Sequence, residues 1–198
     1  MTIWLIVPNI QKIDEQKLRR LIEAVKQSKW IYSVEICFTG QIKDVSWMQK
    51  FNYILDEYSD NDLMFHYFWK DCEIEDNIKQ VMTNTMHNYF CVMDPDVVMF
   101  QTFFHRMIDW FNDENYDIWM VCPRFTIGDK AYDGGVYFKP WQIIFMIHWS
   151  NVEKYICLTK EDFMNEKPVK VLRNCVCHYY GKHDDEMRSD NLACDLYL

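Results

Sequence analysis

Two carboxylates stand one residue apart in the middle of the chain, where a strongly apolar segment ends. Five apolar residues, 89–93, run directly into Asp94-Pro95-Asp96. A strand this apolar is typical of a parallel sheet that is covered by helices on both faces. Ligands of open α/β sheets bind outside the carboxyl ends of the strands. Carboxylates at that position offer hard oxygen ligands to Mg²⁺ or Mn²⁺, and such a cation can clamp a diphosphate.

The same segment, and a second one rich in glycine, also have structural interpretations that the sequence leaves open. Asp94-Pro95-Asp96 is ordinary turn chemistry, because proline fixes φ and aspartate accepts hydrogen bonds from nearby amides. Gly134-Gly135 is the only pair of adjacent glycines in the chain. The pair permits a close approach of the backbone to a ligand, but Asp133-Gly134 equally favours a tight hairpin turn.

Two further segments carry side chains suited to proton transfer or metal binding. Glu161 and Asp162 follow Thr159, which favours a helix start with acids in its first turn. Either acid is also a candidate general base. His178 lies near the end of the apolar segment 169–180, where it is either a third metal ligand or a hydrogen-bonded surface histidine.

The elements that position these residues follow from the hydrophobic pattern. Apolar runs predict strands over 2–9, 33–39, 63–69, 116–122 and 169–180, in addition to the strand that ends at Asp94. Apolar residues at helical spacing predict helices after Asp14, over 46–58, over 73–86 and after Thr102. Strands and helices that alternate in this way predict an α/β fold with a mostly parallel central sheet flanked by helices.

Composition and charge limit the class of protein. The 198 residues are most simply one domain, 1–198, with too few glycines and prolines for flexible linkers. The net charge is −9, from 21 basic and 30 acidic residues, and no run of Lys and Arg forms a basic stripe, so a nucleic-acid partner is not expected. An acidic protein that binds an anionic substrate needs local positive charge, which a divalent cation supplies.

Cysteine spacing and the apolar segments bear on structural metal sites and on location. None of the eight cysteines belongs to a CxxC pair, which argues against a zinc ribbon, and Cys37 and Cys91 are expected in the core. The amino terminus has no charged leader, and the apolar stretch 141–149 is too short to span a bilayer. We therefore expect a cytoplasmic protein without a signal peptide or a transmembrane segment.

The order of these motifs resembles that of the glycosyltransferases with the GT-A fold. Those enzymes carry a DxD motif, a glycine-rich loop, an xED motif and a C-terminal histidine, in this order. The corresponding segments here are Asp94-Pro95-Asp96, Gly134-Gly135, Lys160-Glu161-Asp162 and His178, which together span most of the chain. The small size and the cysteine content resemble a minimal viral version of the fold, from a virus of hyperthermophilic archaea, which would act in the host cytoplasm.

The resemblance implies a metal-dependent transferase that moves a sugar from a nucleoside diphosphate sugar to a hydroxyl of a glycan, glycoprotein or lipid, with inversion. It implies that Asp94, Asp96 and His178 hold Mn²⁺ or Mg²⁺. It also implies a nucleotide-binding half, 1–100, and an acceptor-side half, 101–198, within the single domain.

The resemblance further assigns roles to the remaining motifs. Asp162 would be the catalytic base, with Glu161 as the alternative. The residues implied to contact the donor are Pro8, Asn9, Asp94, Gly134 and Gly135. The chain departs from the family after the second strand, because residues 37–40 read Cys-Phe-Thr-Gly and no Asp-Asp-Ser-like signature follows. This departure leaves the residues that hold the nucleobase unassigned.

Two alternatives stay open. A nucleotidyltransferase also uses paired acids and a metal, but it usually has a glycine-rich loop near the first strand, which residues 6–10 lack. A catalytically inactive protein with a nucleotide-binding fold would instead use its aromatic residues, which make up 17% of the chain, as an interaction surface.

Overall fold

The computed structural model describes residues 1–29, 31–42, 44–60, 63–111, 119–127, 130–132, 144–158 and 169–179. Its strands are β1 (Thr2–Val7), β2 (Ser33–Thr39), β3 (Leu63–Phe68), β4 (Tyr89–Met93), β5 (Val97–Met99), β6 (Met120–Ile127), β7 (Lys130–Tyr132), β8 (Ile144–His148) and β9 (Val169–Tyr179). Its helices are α1 (Glu15–Ser28), α2 (Val45–Tyr58), α3 (Ile74–Thr83), α4 (Phe103–Phe111) and α5 (Val152–Cys157). Two 3-10 turns cover Ile10–Lys12 and Trp149–Asn151.

In the described part of the chain, all nine strands belong to one sheet. The order is β3-β2-β1-β4-β8-β6-β9-β5, with β7 added beside β6. Strands β1 to β4 run parallel to one another. Because β8 is antiparallel to both β4 and β6, strand β6 and its parallel partner β9 point the same way as β1 to β4. The prediction of an α/β fold with a mostly parallel sheet is therefore confirmed.

The helices begin where the sequence places capping residues. The side chain of Asp14 accepts a hydrogen bond of 2.8 Å from the amide of Lys17 and starts α1. Asp44 caps α2 in the same way, with a bond of 2.7 Å from the amide of Trp47. Such caps satisfy amides that have no partner inside the helix, which fixes where each helix starts.

The apolar residues of β1 show why both faces of the sheet are covered. Its alternate residues Ile3 and Leu5 are fully buried in one core layer, together with apolar residues of α1, α2 and α4. Trp4 and Ile6 point to the opposite face, where they pack with apolar residues of α3 and α5. A strand between two helix layers has no solvent-facing side, so its sequence is apolar without alternation.

One predicted strand needs correction, and one strand of the sheet has no counterpart among the predictions. The strand predicted over 116–122 continues to Ile127. It passes through Pro123 because the pairing register with β9 shifts between Pro123 and Arg124, and such an irregularity accommodates a residue that has no amide hydrogen. The apolar stretch 141–149 was not predicted as a strand, yet Ile144–His148 forms β8 in the middle of the sheet.

Six strands point the same way, β1 to β4, β6 and β9, so their carboxyl ends lie at one edge of the sheet, which we call the carboxyl edge. Ile6 of β1 pairs with Val92 of β4. Pro8 lies two residues after Ile6 and Asp94 lies two residues after Val92, so both reach the same level of the sheet. Strand order reverses between β1 and β4, and a crevice forms at such a switch point in open α/β sheets. Among the described residues, no helix is both long and apolar enough to cross a membrane.

Candidate active site

The centre of the site is the turn Asp94-Pro95-Asp96, here called the acidic turn, which connects β4 to β5. The amide of Asp96 donates a hydrogen bond of 2.8 Å to Oδ1 of Asp94. The amide of Val97 donates another of 3.0 Å to the carbonyl oxygen of Asp94. The turn interpretation of the sequence is therefore confirmed. It is compatible with metal binding, since the first bond uses one oxygen of the Asp94 carboxylate.

Asp94 carries a negative charge in a poorly hydrated position. Its residue surface is only 4% exposed. The pKa of Asp94 is raised to about 6, mainly by burial and also by the nearby charge of Asp96, while the hydrogen bond from the Asp96 amide and the charges of Lys12 and Lys17 lower it. Near pH 7 the site therefore holds a carboxylate whose charge is only partly compensated by its surroundings.

Asp96 is held by helix α1. It is 9% exposed, and its Oδ1 lies 2.6 Å from the ammonium of Lys17 in the first turn of that helix. At the other end of α1, the hydroxyl of Ser28 donates a hydrogen bond of 2.8 Å to the carbonyl of Phe100, just after β5. Helix α1 thus contacts the segment that contains the acidic turn at two points, which fixes the position of the carboxylates.

Pro8 and Asn9 lie beside the acidic turn at the carboxyl edge, and both are buried. Asn9 adopts a left-handed conformation, with φ 61° and ψ 43°, which asparagine tolerates better than most residues. Its carbonyl accepts a hydrogen bond of 2.8 Å from the amide of Lys12, and its Oδ1 accepts one of 3.4 Å from Nε2 of Gln11. The left-handed residue turns the chain away from the edge and leads it into α1.

Gly40, directly after β2, completes this part of the edge. Its φ is +123°, and a Cβ atom there would lie 2.6 Å from Oε1 of Gln11 and 3.1 Å from the backbone nitrogen of Ile10. The hydroxyl of Tyr67 donates a hydrogen bond of 2.6 Å to the Gly40 carbonyl. The loops after β1 and β2 therefore touch each other, and only glycine permits this approach.

The backbone of His178 lies next to the segment that follows the acidic turn. It lies on β9 and pairs with Val98, two residues beyond Asp96. The carboxyl end of β9 thus lies at the same edge as the two carboxylates. The side chain of His178 is not among the side chains that the structure describes. Gly134, Gly135, Glu161 and Asp162 lie outside the described residues altogether.

Three residues of this neighbourhood carry no functional signal in the sequence: Lys17, Gln11 and Tyr67. Lys17 looked like one of several basic residues on a solvated helix face, and nothing local links it to Asp96. In the sequence, Gly40 is simply the residue that follows the predicted strand 33–39. A glycine that directly follows a buried strand next to the switch point is the one signal from which a close loop contact there could have been inferred.

The donor chemistry of the acidic turn fits a divalent cation. Within the described ranges, no three His, Cys, Asp or Glu side chains form a ready-made metal site. Mg²⁺ and Mn²⁺ sites that bind substrate phosphates commonly use only one or two carboxylates and take their other ligands from the substrate and water. Asp94 and Asp96 supply two buried carboxylates, and the adjacent ammonium of Lys17 balances one of the two charges.

Comparison with known families decides which kind of protein carries this site. The family model described as glycosyl transferase family 2 matches residues 4–174. The chain belongs to glycosyl transferase family 2. In this family 2 member, the matched region includes Pro8, Asn9 and the acidic turn. No curated protein sequence matches the chain.

Solved structures confirm the GT-A-like fold of this family 2 chain. The mannosyltransferase PcManGT from Pyrobaculum calidifontis, in complex with GDP-Man and Mn²⁺, is 9% identical, with a TM-score of 0.62; the match covers 96% of this chain and 60% of that one. S. aureus TarS 1-349, in complex with UDP-GlcNAc, is 8% identical, with a TM-score of 0.61; the match covers 96% of this chain and 61% of that one. This chain therefore spans about 60% of the length of both proteins.

The same fold also occurs in an enzyme of another activity. The 4-diphosphocytidyl-2C-methyl-D-erythritol synthase from Anaerococcus prevotii is 14% identical, with a TM-score of 0.54, and the match covers 98% of this chain and 95% of that one. Likeness at this level of identity shows the fold and not the reaction. A viral origin is not supported by any of these matches.

Proposed function

We propose that this family 2 member is a metal-dependent glycosyltransferase that uses a nucleoside diphosphate sugar as donor. The acidic turn carries the proposal, because it places two buried carboxylates at the carboxyl edge beside Pro8 and Asn9, at the switch point of the sheet. Family membership supports sugar transfer. The complexes of similar proteins with GDP-Man and Mn²⁺ and with UDP-GlcNAc support a nucleotide sugar and a divalent cation.

Three residues hold the cation in this proposal: Asp94, Asp96 and His178. The backbone pairing of His178 with Val98 supports the third assignment. When bound, Mn²⁺ or Mg²⁺ supplies a Lewis acid for the negative charge that develops on the departing nucleoside diphosphate. Local positive charge also explains how a protein with a net charge of −9 accepts an anionic donor.

The remaining roles concern the donor sugar and the acceptor. Pro8, Asn9 and the backbone of Gly134-Gly135 contact the donor. Asp162 accepts the proton of the acceptor hydroxyl as that oxygen attacks the anomeric carbon, with Glu161 as the alternative base. A single in-line attack inverts the anomeric configuration. The acceptor is a hydroxyl of a glycan, glycoprotein or lipid, and the reaction takes place in the cytoplasm.

We also propose that residues 1–198 form one catalytic domain, with a nucleotide-binding half over 1–100 and an acceptor-side half over 101–198. Two observations support a single unit. One sheet contains β1 to β5 from the first half and β6 to β9 from the second. One core layer combines residues of both halves, such as Leu5 and Met146.

The proposal is tested by following consumption of a panel of nucleoside diphosphate sugars by mass spectrometry, with Mn²⁺, Mg²⁺ or a chelator. We expect one donor to be consumed only when a divalent cation is present. Asp96→Ala should lower this rate by roughly a hundredfold or more, since the cation stabilises the transition state. Asp109→Ala removes an exposed carboxylate on α4 and serves as the matched control.

Three results would count against the proposal. An unchanged rate and an unchanged metal dependence in Asp96→Ala would remove the cation from the acidic turn. Release of pyrophosphate from a nucleoside triphosphate and a sugar 1-phosphate, with no consumption of any nucleoside diphosphate sugar, would favour the nucleotidyltransferase alternative. If no nucleotide changes the melting temperature with or without Mn²⁺, the inactive interaction protein becomes the better interpretation.

A further inference from the structure

The ion pair between Lys17 and Asp96 occupies the oxygen that a metal would use. The ammonium of Lys17 lies 2.6 Å from Oδ1 of Asp96 and 3.5 Å from the carbonyl oxygen of Lys12. An ammonium held by a carboxylate and a carbonyl has the surroundings of a bound cation. Lys17 thereby balances the charge of Asp96 when no divalent ion is present.

Local structure determines that Lys17 is presented to the acidic turn. Its backbone amide is bonded to the side chain of Asp14, the cap of α1, which fixes the first turn of the helix. The 3-10 turn Ile10–Lys12 brings the chain from β1 to that cap. The Lys17 side chain is 31% exposed, and a lysine ammonium sits at the end of a four-carbon stem with several rotatable bonds. The backbone is therefore fixed while the ammonium has room to leave.

We propose that Lys17 is a built-in competitor of the divalent cation: its ammonium holds Asp96 until the cation displaces it, and it then contacts the diphosphate of the donor. The inference rests on the proposed function of Asp96 as a metal ligand. Lys17 is not part of the family motifs. Its ammonium has one partner, Asp96, without the cation and another, the donor diphosphate, when the cation is bound.

The chemistry of lysine suits such an exchange. The Lys17 side chain is 31% exposed, so water can solvate its ammonium as it leaves Asp96, which lowers the cost of displacement. An arginine would hold the carboxylate through two parallel hydrogen bonds and would leave less readily. A divalent ion on Asp96 would repel an ammonium at the same oxygen, while the phosphate groups of the donor would attract that ammonium.

The exchange predicts opposite effects on two ligands when Lys17 is removed. Without nucleotide, Mn²⁺ no longer competes with the ammonium and binds more tightly. In the presence of saturating Mn²⁺, the nucleoside diphosphate loses a cationic partner and binds more weakly. A residue that only supported the local structure would weaken both ligands, so the opposite signs are diagnostic.

The experiment measures free Mn²⁺ by electron paramagnetic resonance during titration of metal-stripped protein, with and without GDP or UDP. In Lys17→Met, we expect Mn²⁺ alone to bind roughly tenfold more tightly than in the wild type. With saturating Mn²⁺, we expect the nucleoside diphosphate to bind about three- to tenfold more weakly. Lys17→Arg should bind Mn²⁺ no more tightly than the wild type.

Lys26→Met is the matched control, because it removes the same charge from the same helix at a residue that lies over the ring of Tyr58 instead of at the acidic turn. Its Mn²⁺ affinity should stay within about twofold of the wild type, since salt screens a distant surface charge. Circular dichroism confirms that each variant is folded, and Lys17→Gln replaces Lys17→Met if the latter is not.

The outcomes separate this inference from the proposed function. Equal or weaker Mn²⁺ binding by Lys17→Met, alongside clear binding by the wild type, would overturn the role of Lys17 and leave the metal site intact. A lack of Mn²⁺ binding by every variant, with and without nucleotide, would overturn both the role of Lys17 and the metal clamp. Tighter metal binding together with weaker nucleotide binding supports the exchange.

Discussion

The amide of Asp96 donates a 2.8 Å hydrogen bond to the carboxylate of Asp94, so the turn that presents the two acids is closed by one of them. This arrangement holds two negative charges close together before any ligand arrives. Asp94 is also buried, and burial together with the charge of Asp96 raises the pKa of Asp94 even though the hydrogen bond from the Asp96 amide lowers it. A cation that enters the site meets carboxylates that need no rearrangement of the backbone.

The raised pKa of Asp94 predicts a specific dependence of stability on pH. The pKa rises from 3.8 to about 6 on folding, so the folded protein binds this proton more tightly than the unfolded chain. The contribution of Asp94 to the free energy of unfolding is therefore fully present below about pH 4 and is lost as pH rises to about 6. Asp94→Asn keeps a hydrogen-bond acceptor but cannot ionise. In chelator at pH 7, it should exceed the wild type by about 2–3 kcal/mol.

Urea unfolding between pH 4 and pH 7.5 measures this effect as the difference between Asp94→Asn and the wild type. Asp109→Asn, which changes a side chain that is 57% exposed, is the control and should follow the wild type closely. If the difference between Asp94→Asn and the wild type is the same at every pH, the pKa of Asp94 is not raised by folding.

Metal affinity should depend on the same proton. Because a protonated carboxyl is a poor metal ligand, Mn²⁺ affinity should be constant above the pKa of Asp94 and fall by about tenfold for each pH unit below it. Titrations at pH 5, 6, 7 and 8 with nucleotide present measure this profile. Asp94→Asn should bind weakly and show a much flatter profile, and a wild-type affinity that is the same at pH 5 and pH 8 would contradict the role of Asp94.

Gly40→Ala should destabilise the protein and distort the carboxyl edge. The new Cβ would lie 2.6 Å from Oε1 of Gln11 and 3.1 Å from the backbone of Ile10, in a residue with a φ of +123°. We expect a loss of about 2 kcal/mol or more in the free energy of unfolding. The double variant Gln11→Ala/Gly40→Ala should regain only the part that is due to the side-chain collision. A Gly40→Ala protein as stable as the wild type would contradict the close approach of the two loops.

Asp162→Asn separates catalysis from binding. Loss of a general base should lower kcat by about 10²–10⁴-fold. KM for the donor should stay within about threefold, because proton removal matters mainly in the transition state. Glu161→Gln is the matched comparison at the neighbouring acid. A larger loss in Glu161→Gln than in Asp162→Asn would exchange their roles, and normal turnover in both variants would exclude this pair as the base.

The first half of the fold was predictable because its signals are local. A cap such as Asp14 and the helical spacing of apolar residues in α1 each depend on a few neighbouring residues. The strand predicted over 33–39 agrees with β2. Each segment carried propensity, period and cap signals that pointed to the same element, which is the condition under which reasoning from sequence succeeds.

The antiparallel strands and the partner of Asp96 were not predictable in the same way. The first four of the five residues of β8 are apolar, and a short apolar run without alternation does not distinguish a strand from a buried helix. Its position between β4 and β6 depends on pairing with residues distant in sequence. The contact of Lys17 with Asp96 likewise exists only because helix α1 packs against the segment after β4.

A crystal structure of the protein soaked with Mn²⁺ and a nucleoside diphosphate tests the central claim most directly. The anomalous signal of manganese locates the cation independently of the protein model. We expect one manganese peak between the carboxylates of Asp94 and Asp96, in contact with both phosphate groups and with the ammonium of Lys17 moved away from Asp96. A bound nucleotide with manganese elsewhere, or with Lys17 still paired to Asp96, would contradict the account.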